Sequence, residues 1–182
     1  MRVIAGSARS MPLKCPEGTD TRPTTDRIKE TLFNILQGDI PDCVFADFFA
    51  GSGGIGIEAL SRGARKAYFI ENAAEAVSCI EHNIKFTKTD ERAILLKKDF
   101  LSALNDIYEK ELDIIFIDPP YKSGYDKRLL SVLPRMKYVT ENTVIIVEAE
   151  LKADFSYVGE LGLKIDREKK YKTNKHVFIS LL

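Results

Sequence analysis

Residues 44–62, V-F-A-D-F-F-A-G-S-G-G-I-G-I-E-A-L-S-R, constrain the fold more than any other stretch of this chain. The apolar run ending in Asp47 reads as a parallel strand buried on both faces. The glycines after it let the backbone turn tightly and approach a ligand closely, because a residue without Cβ accepts dihedrals that others avoid. Ile55, Ile57 and Leu60 then begin a short helix, and Gly63 stands where a left-handed cap is expected. Strand, glycine loop and helix in that order build a nucleotide cradle, with the ligand at the strand's carboxyl end facing a helix N-terminus. A tight turn that binds nothing is the competing reading.

Gly51, Gly53 and Gly56 satisfy G-x-G-x-x-G, and Glu71 ends the next apolar strand, residues 66–70, twenty positions after Gly51. A carboxylate there accepts hydrogen bonds from a ribose diol. NAD and S-adenosylmethionine both carry an adenosine ribose, so these features alone leave the two cofactors open. The chain's 182 residues suit one domain with a substantial core. Cys15, Cys43 and Cys79 share no C-x-x-C spacing, and their odd number argues against a disulfide framework and for reduced thiols in the cytoplasm. No signal-like N-terminus, membrane-length apolar run or metal-ligand spacing is evident, so neither a membrane nor a metal is expected.

The zero net charge hides a polarity. Residues 1–29 hold six basic and three acidic side chains, and residues 161–182 hold six basic and two acidic, which leaves the middle acidic. Basic ends suggest an anionic partner met by particular faces, against the plain alternative of solvated charge. Along the chain, a short strand at 3–5 and a turn-rich arm precede a helix capped by Thr24 or Thr25 and closed before Gly38, with Ile28, Leu32, Ile35 and Leu36 on its buried face. Such a helix, with the arm before it, is expected to pack over the cofactor site as part of one domain spanning 1–182. Further elements follow: a helix at 73–86, strands at 92–96 and 112–117, a helix at 127–136, a strand at 144–147 ending in Glu148, and polar-alternating strands at about 163–171 and 176–181. Asp99 falls at a strand end on the same edge as Gly51 and Glu71. Its carboxylate either accepts an adenine amino group, with Phe100 packed on the ring, or caps the helix through Leu101 and Leu104.

The second chemical signal is Asp118-Pro119-Pro120-Tyr121, after the most strand-like segment of all. Two prolines fix a rigid exposed bend and leave the Pro119 carbonyl outside any ladder. Asp118 and that carbonyl are two close acceptors, suited to the two N–H donors of an exocyclic nucleobase amine, and Tyr121 offers a face for the base to stack on. Such an amine is a poor nucleophile because its lone pair is delocalised into the ring. Acceptors on its hydrogens favour the positive charge that develops on nitrogen during attack. The competing reading is a loop stop.

D-P-P-Y after a buried strand, with F-A-G-S-G after an earlier one, resembles the class I S-adenosylmethionine-dependent amino-methyltransferases. R-x-I-x-G-x-x-R at 2–9, T-R-P-T-x-D-R-x-K-E-T-L-F-N at 21–34 and D-F-F-A-G-S-G-x-x-G-x-E-A-L-S-R-G-A at 47–64 resemble the RsmD family, which methylates N2 of a guanine in bacterial small-subunit (16S) ribosomal RNA. The resemblance implies a Rossmann-like α/β fold, a seven-stranded, mostly parallel sheet with an antiparallel C-terminal edge hairpin. It implies that Gly51, Ser52, Gly53 and Gly56 hold the methionine end and ribose, Glu71 the ribose hydroxyls, and Asp99 with Phe100 the adenine. Arg22, Pro23 and Thr24 would border the methyl-donor pocket, and Asp47, Ala50, Asn72 and Asp118 complete the cofactor set. Asp118, Pro119, Pro120 and Tyr121 would receive the base, with Lys122, Lys127 and Arg128 placed for phosphates. The implied partner is ribosomal RNA, in an assembled small-subunit particle, met by a monomer. Adenine N6 or cytosine N4 as the acceptor, and a nicotinamide-dependent oxidoreductase, are the rival readings.

Overall fold

The computed structural model describes residues 1–16 and 25–182. Its frame is a seven-stranded sheet built from β1 (Val44–Phe48), β2 (Lys66–Ile70), β3 (Ala93–Leu96), β4 (Ile114–Ile117), β5 (Val144–Glu150), β6 (Leu163–Lys170) and β7 (Asn174–Leu181). The order across the sheet is β3-β2-β1-β4-β5-β7-β6. The first five strands run parallel, and β7 inserts antiparallel between β5 and β6. This is the expected seven-stranded sheet with its antiparallel edge hairpin. Chain order reverses between β1 and β4, and in open sheets of this kind a ligand binds at the carboxyl ends beside that reversal.

Side chains alternate along each strand, so the sheet has two core faces. Val44, Ala46 and Phe48 of β1 join Ile115, Ile117, Ile145 and Val147 on one face. This face is covered by α4 (Phe100–Ala103) and α5 (Tyr125–Val132). Phe45, Phe69, Phe116, Ile146 and Phe178 occupy the other face, under α1 (Asp26–Ile35), α2 (Gly54–Ser61), α3 (Ala74–Phe86) and the N-terminal arm. By the same alternation Asp47, Glu71, Asp118, Glu148 and His176 fall on this second face, at the carboxyl edge of the parallel strands. At the β7 side the edge strand β6 buries Leu163 and exposes K-I-D-R-E over 164–168, and an edge so charged resists pairing with another chain.

Three elements differ from the sequence reading. Residues 3–5 form no strand; the arm instead closes on itself through an Arg2–Pro12 bridge, and Val3 is buried. The helix expected at 127–136 is split into α5 and a 3-10 turn over Leu133–Arg135, because Pro134 has no N–H with which to continue the ladder. Thr25 is the cap of α1, accepting from the Ile28 N–H at 3.4 Å. The buried residues of α1 are Lys29, Leu32 and Phe33, with Leu36 just beyond its end, rather than a stripe that includes Ile28 and Ile35.

Glu58 of α2 explains that rotation. Its buried carboxylate accepts from the N–H groups of Ile4 (2.8 Å) and Ala5 (3.0 Å) and from Arg62 Nε (2.7 Å). Lys29 Nζ lies 3.4 Å away and donates to the Arg2 carbonyl at 2.5 Å. Burial lowers the Lys29 pKa, opposed by the Glu58 charge. Glu58 thereby fastens the arm and α1 to α2, directly behind the glycine loop. A Cβ at Gly6 would lie 1.8 Å from the Ser61 carbonyl oxygen, so the arm's backbone sits flush on α2.

Candidate active site

The glycine loop is held through its own backbone groups, by backbone partners and by the side chains of Asp47, Glu71 and Asn83. Ala50 N–H donates to the Ile70 carbonyl (3.1 Å), and Gly53 N–H to the Ala50 carbonyl (2.7 Å). Gly53 caps α2 at φ 79°, a left-handed conformation that favours glycine. Gly56 lies against Phe69, where a Cβ would come within 2.4 Å of the ring. The buried Asp47 accepts from the Gly56 N–H at 2.9 Å, tying the end of β1 to the first turn of α2. Desolvation pushes the Asp47 carboxyl up to about 7, with the Gly56 N–H opposing and the Glu71 charge adding to the rise. Ser52 is buried, and its carbonyl accepts from the Asn83 side chain at 2.9 Å. Asn83 also binds both backbone groups of Lys14, so α3, loop and arm share one clamp.

Glu71 follows β2 and does two jobs with one carboxylate. Oε2 accepts from the Gly51 N–H at 2.9 Å. Oε1 accepts from the N–H groups of Asn72 and Ala73, each at 2.9 Å, and so serves the start of α3, whose own cap residue Ala73 makes no side-chain bond. Asn72 itself is exposed beside it. Asp99 caps α4 through the Leu101 N–H at 3.0 Å. Phe100 is 5% exposed, its ring in a cluster with Phe49 and Tyr125 at 5.0 Å each. Arg22, Pro23 and Thr24, assigned by resemblance to the methyl-donor pocket, lie outside the described residues.

Across the switch point, the Asp118 N–H donates to the Phe48 carbonyl at 3.4 Å, placing Asp118 one strand from the glycine loop. Pro119 is buried and Pro120 exposed, and the Pro120 carbonyl closes a turn by accepting from Ser123 N–H at 3.2 Å. Among the described residues no backbone donor reaches the Pro119 carbonyl. Asp118 is half-buried, and desolvation, then the charges of Glu148 and Asp47, raises its pKa well above the usual carboxylate range. Tyr121 is 54% exposed and stands between two clefts of about 540 and 210 Å³. The larger is bounded by the start of α1, Tyr121 and the β6–β7 turn, with Arg27, Lys169, Lys170 and Lys172 in its wall. Arg128 lies over the Phe100 and Tyr125 rings and Lys127 over Tyr157, so only Lys122 of the three expected phosphate ligands has no such ring contact.

A further constellation went unassigned in the sequence. Glu148 of β5 accepts from Asn174 Nδ2 at 2.6 Å and pairs with His176 Nε2 at 3.0 Å. The His176 Nδ1 meets the Tyr171 hydroxyl at 3.0 Å. The signal was present, since Glu148 follows an apolar strand just as Asp118 does, but its partners lie some 26 residues on. Among the described residues no group of three or more His, Cys, Asp or Glu could hold a metal ion, and no helix is long and apolar enough to cross a membrane.

This architecture has well-matched relatives. YlbH of Bacillus subtilis is 37% identical over 164 residues, covering 88% of this chain and 89% of that one. Ribosomal RNA small subunit methyltransferase D of Haemophilus influenzae is 35% identical over 152 residues, covering 82% and 79%. Among solved structures, yhhF from Escherichia coli superposes with a TM-score of 0.85 at 32% identity, covering 100% of this chain and 97% of that one. The fold is that of the class I methyltransferases. The family described as Conserved hypothetical protein 95 matches residues 1–180, and with this sheet order, glycine loop and D-P-P-Y bend the chain belongs to that family, the RsmD family.

Proposed function

We propose that the protein transfers a methyl group from S-adenosylmethionine to the exocyclic N2 of a guanine in small-subunit ribosomal RNA. The observation that carries this reading is Asp118 at the end of β4, beside the switch point and next to an unclaimed Pro119 carbonyl, with Tyr121 facing a cleft. The donor set fits the cofactor. Asp47, Glu71, Asp118 and Glu148 gather at one sheet edge, which favours a cationic sulfonium and disfavours the diphosphate of NAD. S-adenosylmethionine supplies the electrophilic methyl group when bound.

The chain's own residues do the rest. Gly51, Ser52, Gly53 and Gly56, with Asp47 and Ala50 behind them, shape the cradle; Glu71 and Asn72 meet the ribose, and Asp99 the adenine. Asp118 and the Pro119 carbonyl accept the two amine hydrogens and stabilise the positive charge growing on nitrogen, an effect on the order of 10²–10³ in rate per contact in comparable sites. Tyr121 stacks on the base, and Pro119 and Pro120 fix the bend. Because the Asp118 pKa is raised, activity falls on the acid side of the profile as the carboxylate takes a proton. Arg27, Lys169, Lys170 and Lys172 sit where flanking phosphates would run. The arm and α1, fastened by Glu58, form one domain with the sheet and border the cofactor. Acting as a monomer in the cytoplasm, the protein reads folded RNA in an assembled particle, met by the basic wall of the larger cleft.

The test adds purified protein and labelled S-adenosylmethionine to small subunits from a strain lacking this gene, followed by nucleoside mass spectrometry. One N2-methylguanosine per particle is expected. Label in N6-methyladenosine or N4-methylcytidine, or in no RNA at all, contradicts the reading.

A further inference from the structure

We propose that Glu148 reads the ring N1–H of the target base and so sets guanine against adenine and cytosine, with Asn174 and His176 as its positioning residues. The inference rests on the amine-methylation reading above and adds the source of its base selectivity. Asp118 and Pro119 grip an amine, and every exocyclic nucleobase amine offers the same two hydrogens, so that pair cannot discriminate. The atom beside the amine can. Of the two ring nitrogens flanking guanine's 2-amine, N1 carries a hydrogen and N3 a lone pair. In adenine and cytosine the single ring nitrogen beside the amine carries a lone pair, so an N1–H beside the amine is found in guanine alone of the three.

The structure places a fixed acceptor at that neighbouring position. Ile117 pairs with Val147 across β4 and β5, so Asp118 and Glu148 occupy adjacent places on one face of the sheet edge. Glu148 also pairs with His176 across β5 and β7. Among the described residues, Glu148 and Tyr121 are the two that line both clefts, which puts the carboxylate in the wall where a base stacked on Tyr121 is received. A carboxylate only accepts, so the Asn174 amide must turn its NH₂ toward Glu148 Oε1. Tyr171 O–H donating to His176 Nδ1 leaves Nε2–H to donate to Oε2, one consistent chain of donors aimed at the carboxylate. His176 is fully buried, with its ring against the edge of Phe116, so the chain is held in place. Each Glu148 oxygen keeps a second lone-pair site for a ligand N–H.

A second observation points the same way. Asn174 Oδ1 is buried in the larger cleft's wall and has no hydrogen-bond partner among the described residues. Buried acceptors are nearly always satisfied, and an orphan on a residue that lines a cleft marks a place where a bound ligand or water supplies the donor. Glu148 sets carboxylate acceptors among the basic side chains of that wall, complementary to the N1–H of guanine and repulsive to a ring lone pair.

The test replaces the target guanine, in reconstituted particles, with 2-aminopurine. This base keeps the 2-amine but carries a lone pair at N1. Wild-type protein is expected to prefer guanine by about a thousandfold in kcat/KM, because a site built around a donor rejects the analogue that lacks it. Glu148→Gln, whose amide can donate to a lone pair, is expected to shrink that ratio below about tenfold by losing rate on guanine and gaining it on 2-aminopurine. An unchanged ratio in Glu148→Gln, with both rates lowered alike, overturns the assignment. A wild-type ratio under tenfold overturns it without any variant, so misfolding of the variant cannot shield it. No product from guanine itself refutes the underlying methylation reading instead, and the two failures are thereby separated.

Discussion

The two halves of the sheet's carboxyl edge use carboxylates in opposite ways. On the β1–β2 half, Asp47 and Glu71 are engaged by backbone N–H groups: Gly56 on the first, and Gly51, Asn72 and Ala73 on the second. On the β4–β5 half, Glu148 is engaged by side chains from β7 and lines both clefts, and Asp118 lies at the end of β4 beside a carbonyl that no backbone donor reaches among the described residues. Backbone-bound carboxylates fix a loop's shape, and the shape is the product. Side-chain-bound carboxylates keep lone pairs directed at a cavity. On the proposed reading, one half is a mould for the cofactor and the other a set of hands for the base.

Variants can break that division of labour. On stability, the largest effect is expected for Gly56→Ala, whose methyl would meet the Phe69 ring at 2.4 Å. Overpacking should cost about 2 kcal/mol of stability, seen as a lower urea midpoint, and cofactor affinity should fall with it while bound RNA is little affected. Next comes Tyr121→Ala on the other half. Loss of a stacking face should lower kcat/KM for RNA by roughly 10–100-fold, with calorimetric affinity for S-adenosylhomocysteine unchanged and Tyr121→Phe restoring most of the rate. A Tyr121 variant that weakens cofactor as much as RNA would merge the two halves.

The smallest effect sharpens the mould. The folded state holds the Asp47 proton more tightly than the unfolded chain, its carboxyl being raised from 3.8 to about 7. This contribution to stability is complete below about pH 4 and is lost as pH rises through about 7. Asp47→Asn cannot ionise and keeps an acceptor for Gly56 N–H. Relative to wild type, the cofactor-free variant should gain about 1–2 kcal/mol between pH 4 and pH 8 in urea unfolding. Parallel curves for the two proteins would show Asp47 ionised throughout.

The mould was legible in the sequence because it is local. Strand, glycines, helix and Glu71 lie within a few dozen residues, and each follows from backbone rules. The same holds for β4 and its D-P-P-Y bend. What the periodicity missed was long-range. Lys29 reads as a polar residue on α1, and only the buried Glu58 turns it into a core one. Glu148 reads as the end of a strand, and only the antiparallel insertion of β7 brings Asn174 and His176 to it. Asp99, which the sequence left between adenine ligand and helix cap, makes the cap with Oδ1 and keeps Oδ2 for the proposed adenine contact, and the Phe100 ring turns inward to Phe49 and Tyr125.

The most direct test of the division is one variant measured twice. Asp118→Ala should lower turnover at saturating cofactor and RNA by about a thousandfold. Its affinity for S-adenosylhomocysteine, measured by calorimetry on the same preparation, should stay within about threefold of wild type. Loss of cofactor binding in step with turnover, or turnover retained without the carboxylate, would contradict the assignment of Asp118 to the base-holding half.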